Sequence, residues 1–409
     1  MDKVQQEVDH LYKKYFGKMV ASLLYFSQEI DLETAEDLVQ DSYSSALTSW
    51  KSDGIPANPE GWIYKVCKNK ALNKIKKEKR VRGITVNEDF LFQDPHSSDS
   101  VVDDYQLRLL FACAHPDLSP KVQVVITLKY VINLKIESIA KVLAMTIDGV
   151  DKLLSRARQK IREEKVPLQE PDVLTLHSRI HIVHKILYLL FNEGYKSSWG
   201  KELLREELCE EALLMAKTLI DGNIGNKETA ALYALMLFNA ARFKARIGSN
   251  GELLDLEEQD RSLWNKDLIR YACTFLHQSK GGPVSSYHYE ATIAYLHCTA
   301  KDFNSTDWVS VSKLYLQLLQ MNPNPFVELN YSIALYYSGQ KKKAFKILNE
   351  LQQKPFFNQY YLLNATLGKF NLLEGNNSVA REFFLKTLQQ TEFEIEKEYI
   401  RKQINKIKN

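Results

Sequence analysis

The sequence predicts an all-α protein. Apolar residues recur at spacings of three and four along most of the 409 positions, the period of a helix with one buried face. Glycine and proline are scarce, at 16 and 11, so little interrupts that period. Helix-start residues such as Asp31, Asn58-Pro59 and Ser119-Pro120 stand just before periodic runs. The apolar fraction of 45% is that of a globular protein, and the length suits two or three domains. The five cysteines, Cys67, Cys113, Cys209, Cys273 and Cys298, are far apart with no CxxC. They read as small buried hydrophobes in a reducing cytoplasmic setting rather than as disulfides or a zinc site. No apolar run reaches the roughly 18 residues of a membrane span, and no signal peptide is expected.

Residues 2–28 form the first expected helix, with Leu11, Tyr15, Met19, Leu23 and Phe26 on one face. Asp31 caps a second, from about 32 to 50, whose stripe is Val39, Tyr43, Ala46, Leu47 and Trp50. Its outer face carries Glu33, Asp37 and Asp41 at successive fourth positions. Like charges at this spacing repel, and no cation on the same helix compensates them. The face reads either as solvated or as a docking surface for a basic partner.

A polar loop at 51–58 leads into a third helix, capped by Asn58 with Pro59 at its first position. Ile63, Cys67, Ala71 and Ile75 make its inward ladder. Trp62, Lys65, Asn69, Asn73, Lys76 and Arg80 follow one another on another stripe. Ammonium, amide and aromatic groups in one row suit melted nucleic acid, where exposed bases stack and hydrogen-bond. A Lys-rich solvated face with Trp62 in the core is the plainer alternative. Residues 62–82 carry nine Lys or Arg against one Glu, whereas 84–104 carry six Asp or Glu and no Lys or Arg. Such segregation suggests a polyanion for the first stretch and a different environment for the second. Pro95 and Ser97-Ser98 make residues 83–104 a linker.

A helix resumes from Tyr105 to Cys113, and another starts at Ser119-Pro120. Residues 136–162 then divide around Ala144-Met145-Thr146 into two helical pieces, with Ile139, Leu143, Met145, Val150 and Leu154 placed for a small core. Ala140 is small where the helices cross. Thr146 caps the second helix, and Asp148 suits its positive end. This is a helix-turn-helix pattern. Arg156, Arg158, Lys160 and Arg162 on the second helix are placed to meet phosphates, with Lys152 and Ser155 towards base edges. An αα-hairpin with a solvated basic face has the same pattern.

Two stretches now resemble a known family. Ala35-Glu36-Asp37-Leu38-Val39-Gln40-Asp41, Asn58-Pro59-Glu60-Gly61-Trp62-Ile63 running into Asn69 and a basic tail, and Leu153-Leu154-Ser155-Arg156-Ala157-Arg158 are similar to regions two and four of bacterial extracytoplasmic-function (ECF) sigma factors of the sigma-70 family. The resemblance covers about residues 8–165. It implies region two at 8–82, an acidic linker at 83–104 and region four at 105–165. It also implies core RNA polymerase as partner for Glu33, Asp37, Leu38, Gln40 and Asp41. The stripe from Trp62 to Arg80 would meet the promoter −10 element. Lys152, Ser155, Arg156 and Arg158 would meet the −35 element. The chain departs from the family pattern at Asn73 (often Asp), at Lys76 and Leu153 (often Arg) and at Ala144 (usually Gly), and Asp151 places an anion at the front of the second helix.

From 172 to 409 a further α-helical domain is expected. Leu107–Pro116, Leu189–Tyr195 and Gly251–Trp264 resemble a subgroup of these factors with a long tetratricopeptide-like (TPR-like) extension. Leu329-Asn330 recurs as Leu363-Asn364 at 34 positions, and Gly339 with Ala344 recurs as Gly375 with Ala380, as a helical repeat requires. His177, His181 and His184 with Glu193 have ligand-like spacing but read as partly buried histidines, and neither metal, cofactor nor catalytic residues are expected. The acidic residues of Gly251–Trp264 are expected to pack on the basic recognition helix, or the extension binds another protein. The sequence thus describes a sigma factor with a regulatory repeat domain rather than an enzyme. A helix-turn-helix regulator with a peptide- or protein-sensing repeat domain is the alternative, and it leaves the Glu33–Asp41 and Trp62–Arg80 faces unused.

Overall fold

The computed structural model describes residues 3–27, 29–81, 107–143, 145–164, 166, 173–195, 205–248, 254–358, 360–391 and 394–407. No β-strand occurs among them. The expected linker at 83–104 lies outside the described residues. The chain divides into two compact units, Met1–Thr218 and Leu219–Asn409. The helix that starts at Val173 is tied to the first unit by Arg179, which is buried and donates to the Phe111 carbonyl at 3.0 Å.

The first unit begins with α1 (Lys3–Phe26), α2 (Leu32–Asp53) and α3 (Pro59–Val81). Asp31 caps α2 by accepting from the Thr34 N–H at 2.8 Å, and Asn58 does the same for Gly61 on α3 at 2.9 Å. Val39, Tyr43, Ala46 and Trp50 of α2 and Ile63, Cys67, Ala71 and Ile75 of α3 are all buried, and Tyr43 reaches α1, donating to the Leu11 carbonyl at 2.9 Å. Tyr15 and Phe26 of the expected α1 stripe are only half-buried, whereas Phe16 and Val20 are fully buried. The reason is that α1 packs against α2 and α3 on one side and against a later helical turn, Thr127–Val131, on the other. A single-stripe reading of α1 misses its second neighbour.

Residues 107–113 form α4. Next, α5 (Pro120–Ile126) runs into a π-helical turn, Thr127–Val131. The pair α6 (Ile136–Val142) and α7 (Ile147–Glu163) follows, with the Thr146 hydroxyl accepting from the Gly149 N–H at 3.0 Å. Val150, Leu154, Ala157 and Ile161 are the buried face of α7. The unit closes with α8 (Val173–Tyr195) and most of α9 (Glu206–Asp221). A Cβ on Gly194 would stand 2.7 Å from both the Arg205 carbonyl and the Cys209 sulfur, so only glycine allows α9 to cross here. His184 is buried while His177 and His181 are exposed, so the three imidazoles do not converge.

In the second unit, α10 (Lys227–Ala240), the short α11 (Phe243–Arg246) and α12 (Lys266–Gln278) lead into paired antiparallel helices. These are α13 (Ser286–Thr299) with α14 (Trp308–Met321), α15 (Pro325–Tyr337) with α16 (Lys341–Gln352), and, after the single turn α17 (Pro355–Asn358), α18 (Tyr361–Leu373) with α19 (Asn377–Gln390). Last comes α20 (Glu394–Lys406). Gly339 and Gly375 adopt φ of 88° and 80° after α15 and α18, the left-handed turn that a helix end needs before reversing. Ala344 and Ala380, both fully buried, let the following helices approach. The helix ends set the structural repeat at 36 residues, so Leu329 corresponds to Ala365 and not to Leu363. The 34-residue match of Leu-Asn pairs reflects shared composition out of register.

Gly368 on α18 faces the buried ring of Phe384, whose Cδ1 would lie 2.7 Å from an added Cβ. Gly368→Ala should therefore destabilise the chain by about 1–3 kcal/mol through overpacking, read from the urea midpoint. An unchanged midpoint would show that α18 and α19 can separate freely.

Candidate functional site

Packing decides which side of α3 is available. With Ile63, Cys67, Ala71 and Ile75 against α2, the residues Lys65, Asn69, Asn73 and Arg80 are exposed and Lys76 half-exposed. They form one row, since positions three and four apart share a helix face. Three other lysines of α3 turn to neighbours. Lys70 pairs with Asp41, Lys74 donates to the Thr34 hydroxyl at 3.3 Å, and Lys79 lies 3.6 Å from Glu29. The net basic character of α3 is thus divided between a structural side and an outward row. Trp62 is half-buried, edge-on to Trp50 at 5.6 Å, so it serves the core and borders the row. Burial pushes the Cys67 thiol up to about 11, which makes it an inert packing group.

The acidic face of α2 is not the uncompensated series expected from its own sequence. Glu33 meets Arg162 at 3.2 Å and Arg158 at 3.8 Å, and Asp41 meets Lys70 of α3. Glu36, outside the predicted set, pairs with Lys129 at 2.7 Å. Compensation comes from other elements, which an along-helix count cannot register. Asp37 and Gln40 are exposed and Leu38 half-exposed. Together with Asp41 they form the outward part of this face.

On α7, Lys152, Ser155 and Arg156 are exposed, opposite the buried Val150–Ile161 row. Lys152 pairs with Asp148 at 2.7 Å, an exposed pair that is worth little. Arg158 differs from its expected placement beside Arg156. Its Nε donates to the Tyr130 hydroxyl at 2.6 Å, and its guanidinium faces Glu33. Arg162, exposed, bridges to Glu33 and to Asp31 at 3.8 Å. Arg108 completes the contact, donating to the Tyr25 hydroxyl at 3.1 Å with its guanidinium 5.4 Å from the ring centre. Sequence reasoning missed Asp31, Glu36, Lys129 and Tyr130. Only the charge on Lys129 beside an aromatic in an apolar turn hinted at them.

Three carboxylates of the acidic stretch before Trp264 have partners within the second unit: Glu257 with Lys369 at 2.6 Å, Asp255 with the Tyr399 hydroxyl at 3.1 Å, and Asp260 with the Ser262 N–H at 2.8 Å. Trp264 itself is buried beneath the Arg261 guanidinium, 4.4 Å from its ring centre. Among the described residues no group of His, Cys, Asp or Glu is arranged to hold a metal, and no helix is long and apolar enough to cross a membrane.

Three families match the chain: Sigma-70 region 2 over residues 11–81, Sigma-70 region 4 over 108–161, and a family of unknown function (DUF6596) over 179–280. A protein of Rhizobium meliloti (strain 1021) described as uncharacterized is 28% identical over 400 residues, which is 95% of this chain and 92% of that protein. RNA polymerase sigma factor SigV of Bacillus subtilis (strain 168) is 27% identical over 139 residues, 34% of this chain and 80% of SigV. No solved structure matches.

The Lys129–Glu36 pair, which joins the Thr127–Val131 turn to α2, is only 15% and 12% exposed, so it should stabilise the contact of α2 with this turn and α7 more than the exposed arginine pairs do. Replacing Glu33 and Glu36 together by Gln should weaken that contact by about 1–3 kcal/mol. Hydrogen exchange over 127–131 and the end of α7 should rise while the α1–α3 core stays protected. Equal exchange in wild type and variant would show that the pairs do not hold the contact.

Proposed function

With sigma-70 region 2 followed by region 4, the chain is an ECF-like RNA polymerase sigma factor of the sigma-70 family with a C-terminal extension, and we propose how its surfaces divide the work. Its partners are core RNA polymerase and the −10 and −35 elements of promoter DNA. The outward part of α2, from Asp37 to Asp41, docks on the polymerase. The α3 row, Lys65, Asn69, Asn73, Lys76 and Arg80, takes the opened −10 strand. Amides there hydrogen-bond bases and cations hold the backbone, with Trp62 at the border of the row for stacking. On α7, Lys152 and Ser155 read −35 base edges and Arg156 holds a phosphate. The observation that carries this division is the α3 row, because burial of the opposite ladder leaves Lys65, Asn69, Asn73 and Arg80 exposed and Lys76 half-exposed.

The chain supplies no chemical step in this reading; nucleotide addition belongs to the polymerase, and the factor works in the cytoplasm where the polymerase does. The TPR-like extension serves regulation. The α2–α7 contact bears on the same scheme. The two promoter elements lie about 25 base pairs apart, or about 85 Å at 3.4 Å per pair. A region four held within 3.2 Å of Glu33 does not span that distance, so promoter engagement breaks this contact and frees Arg158 and Arg162 for phosphates.

Run-off transcription with purified core polymerase tests the reading as a whole, and promoter-specific transcripts are expected. Within it, Asp37→Lys with Asp41→Lys should lower core affinity at least about tenfold, as for like-charge juxtaposition at an interface, while the α1–α3 fold survives. Co-purification with core at wild-type levels would remove α2 as the docking surface.

Removing two phosphate-facing cations should also lower the salt dependence of promoter binding. Lys76→Ala with Arg80→Ala should flatten the log–log salt slope by about 1–2 and reduce permanganate reactivity at the −10 element. A slope and a reactivity equal to wild type would place the −10 strand elsewhere.

A further inference from the structure

The second unit contains a cleft of about 320 Å³ that the promoter-binding surfaces do not use. Its walls come from α13, α15, α18 and α20 and from the 303–308 turn, and the segment around Asp255 and Glu257 crosses it. The lining follows the 36-residue repeat: Asn330 and Ile333 of α15 correspond to Thr366 and Lys369 of α18, and all four face it. One wall is aromatic. The rings of Phe303, Trp308 and Tyr337 pack with every pair of centres 4.9 Å apart.

The polar groups are unbalanced towards acceptors. Asp255 and Glu257 contribute two carboxylates against the single ammonium of Lys369. His297 adds no positive charge, because burial, with Arg242 and Arg261 close by, pushes its imidazole down to about 3. Its Nδ1 is buried without a hydrogen-bond partner. Burial first, and then the nearby Asp255, raise the carboxyl of adjoining Glu258, with Lys369 and Lys406 opposing. Aromatic faces attract cations, and a neutral imidazole nitrogen accepts from an N–H donor.

We propose that this cleft binds a small organic cation, an amine or guanidine carried on an aromatic or apolar body. The apolar body lies on the Phe303–Trp308–Tyr337 wall, and the charged head meets Glu257 and Asp255. In this structure those carboxylates are held by Lys369 at 2.6 Å and by the Tyr399 hydroxyl at 3.1 Å. A ligand ammonium therefore competes with Lys369 for Glu257. The volume is at the lower end of the roughly 300–1,000 Å³ typical of ligand pockets, which fits one small molecule better than a length of chain.

Isothermal titration of the full chain with phenethylamine, against its anionic counterpart phenylacetate, tests the assignment. Phenethylamine should bind with a Kd of about 1 mM or below, in keeping with its few heavy atoms, and at least tenfold more tightly than phenylacetate. Glu257→Gln should weaken phenethylamine binding several-fold. Lys369→Met, which removes the competing ammonium, should tighten it, with circular dichroism confirming that both variants fold. The proposal is overturned if phenylacetate binds as well as the amine, if Lys369→Met weakens the amine, or if 10 mM phenethylamine gives no heat. Binding of the capped dipeptide acetyl-Phe-Lys-amide where phenethylamine fails would assign the cleft to polypeptide instead.

Discussion

One carboxylate face cannot satisfy two sets of cations at once, and α2 is where that constraint acts. Glu33 and Glu36 receive Arg158, Arg162 and Lys129 from region four, while Asp41 receives Lys70 from the neighbouring α3. The inner end of the face is thereby spent on the protein itself, and its outer end, around Asp37 and Gln40, stays exposed. The same pairing sorts the cations of α7. Lys152, Ser155 and Arg156 face outward, whereas Arg158 is drawn back to Tyr130 and Glu33. What looks in sequence like one basic helix becomes two groups with different availability.

Local signals were legible because their physics is local. Asp31, Asn58 and Thr146 each cap the helix they precede, since a side-chain oxygen three residues before an orphan N–H has one obvious use. The Ile63–Ile75 ladder and the outward row of α3 follow from periodicity alone, and the glycines after α15 and α18 mark real turns. The misses all involve distance along the chain. Glu33 and Arg162 are separated by 129 positions, and no helix-by-helix reading pairs them. Within the second unit, Glu257 and Asp255 likewise find Lys369 and Tyr399, which are more than 100 residues away. The repeat length was misjudged because a Leu-Asn dipeptide recurs out of register, while helix ends fix the register in space.

Motifs of the extension that carry no chemistry still have physical work. Gly194 admits the backbone of α9, and Trp264 is a buried anchor under Arg261, which also donates to the His297 and Ala300 carbonyls at 2.7 and 2.8 Å. That anchor helps fix the preceding segment, and hence where Asp255 and Glu257 stand over the cleft. Residue patterns that resemble functional signatures here act by holding one loop against one helical stack.

How firmly region four is held against region two decides whether the contact is a lock or a latch. Its arginine pairs are exposed, with Arg162 60% and Glu33 50% accessible. Such pairs contribute about 0.2–1 kcal/mol each and weaken with salt. Lys129–Glu36 is better shielded and adds more, as does the Tyr130–Arg158 hydrogen bond, but the latter lies within region four and survives opening. The packing of α1 against the Thr127–Val131 turn, with Phe16, Val20 and Leu128 fully buried, adds an apolar part that salt does not weaken. The charge pairing is the part of the contact that a polyanion can replace: phosphates offered to Arg158 and Arg162 would take the place of carboxylate contacts of similar strength, whereas the apolar part has no such substitute.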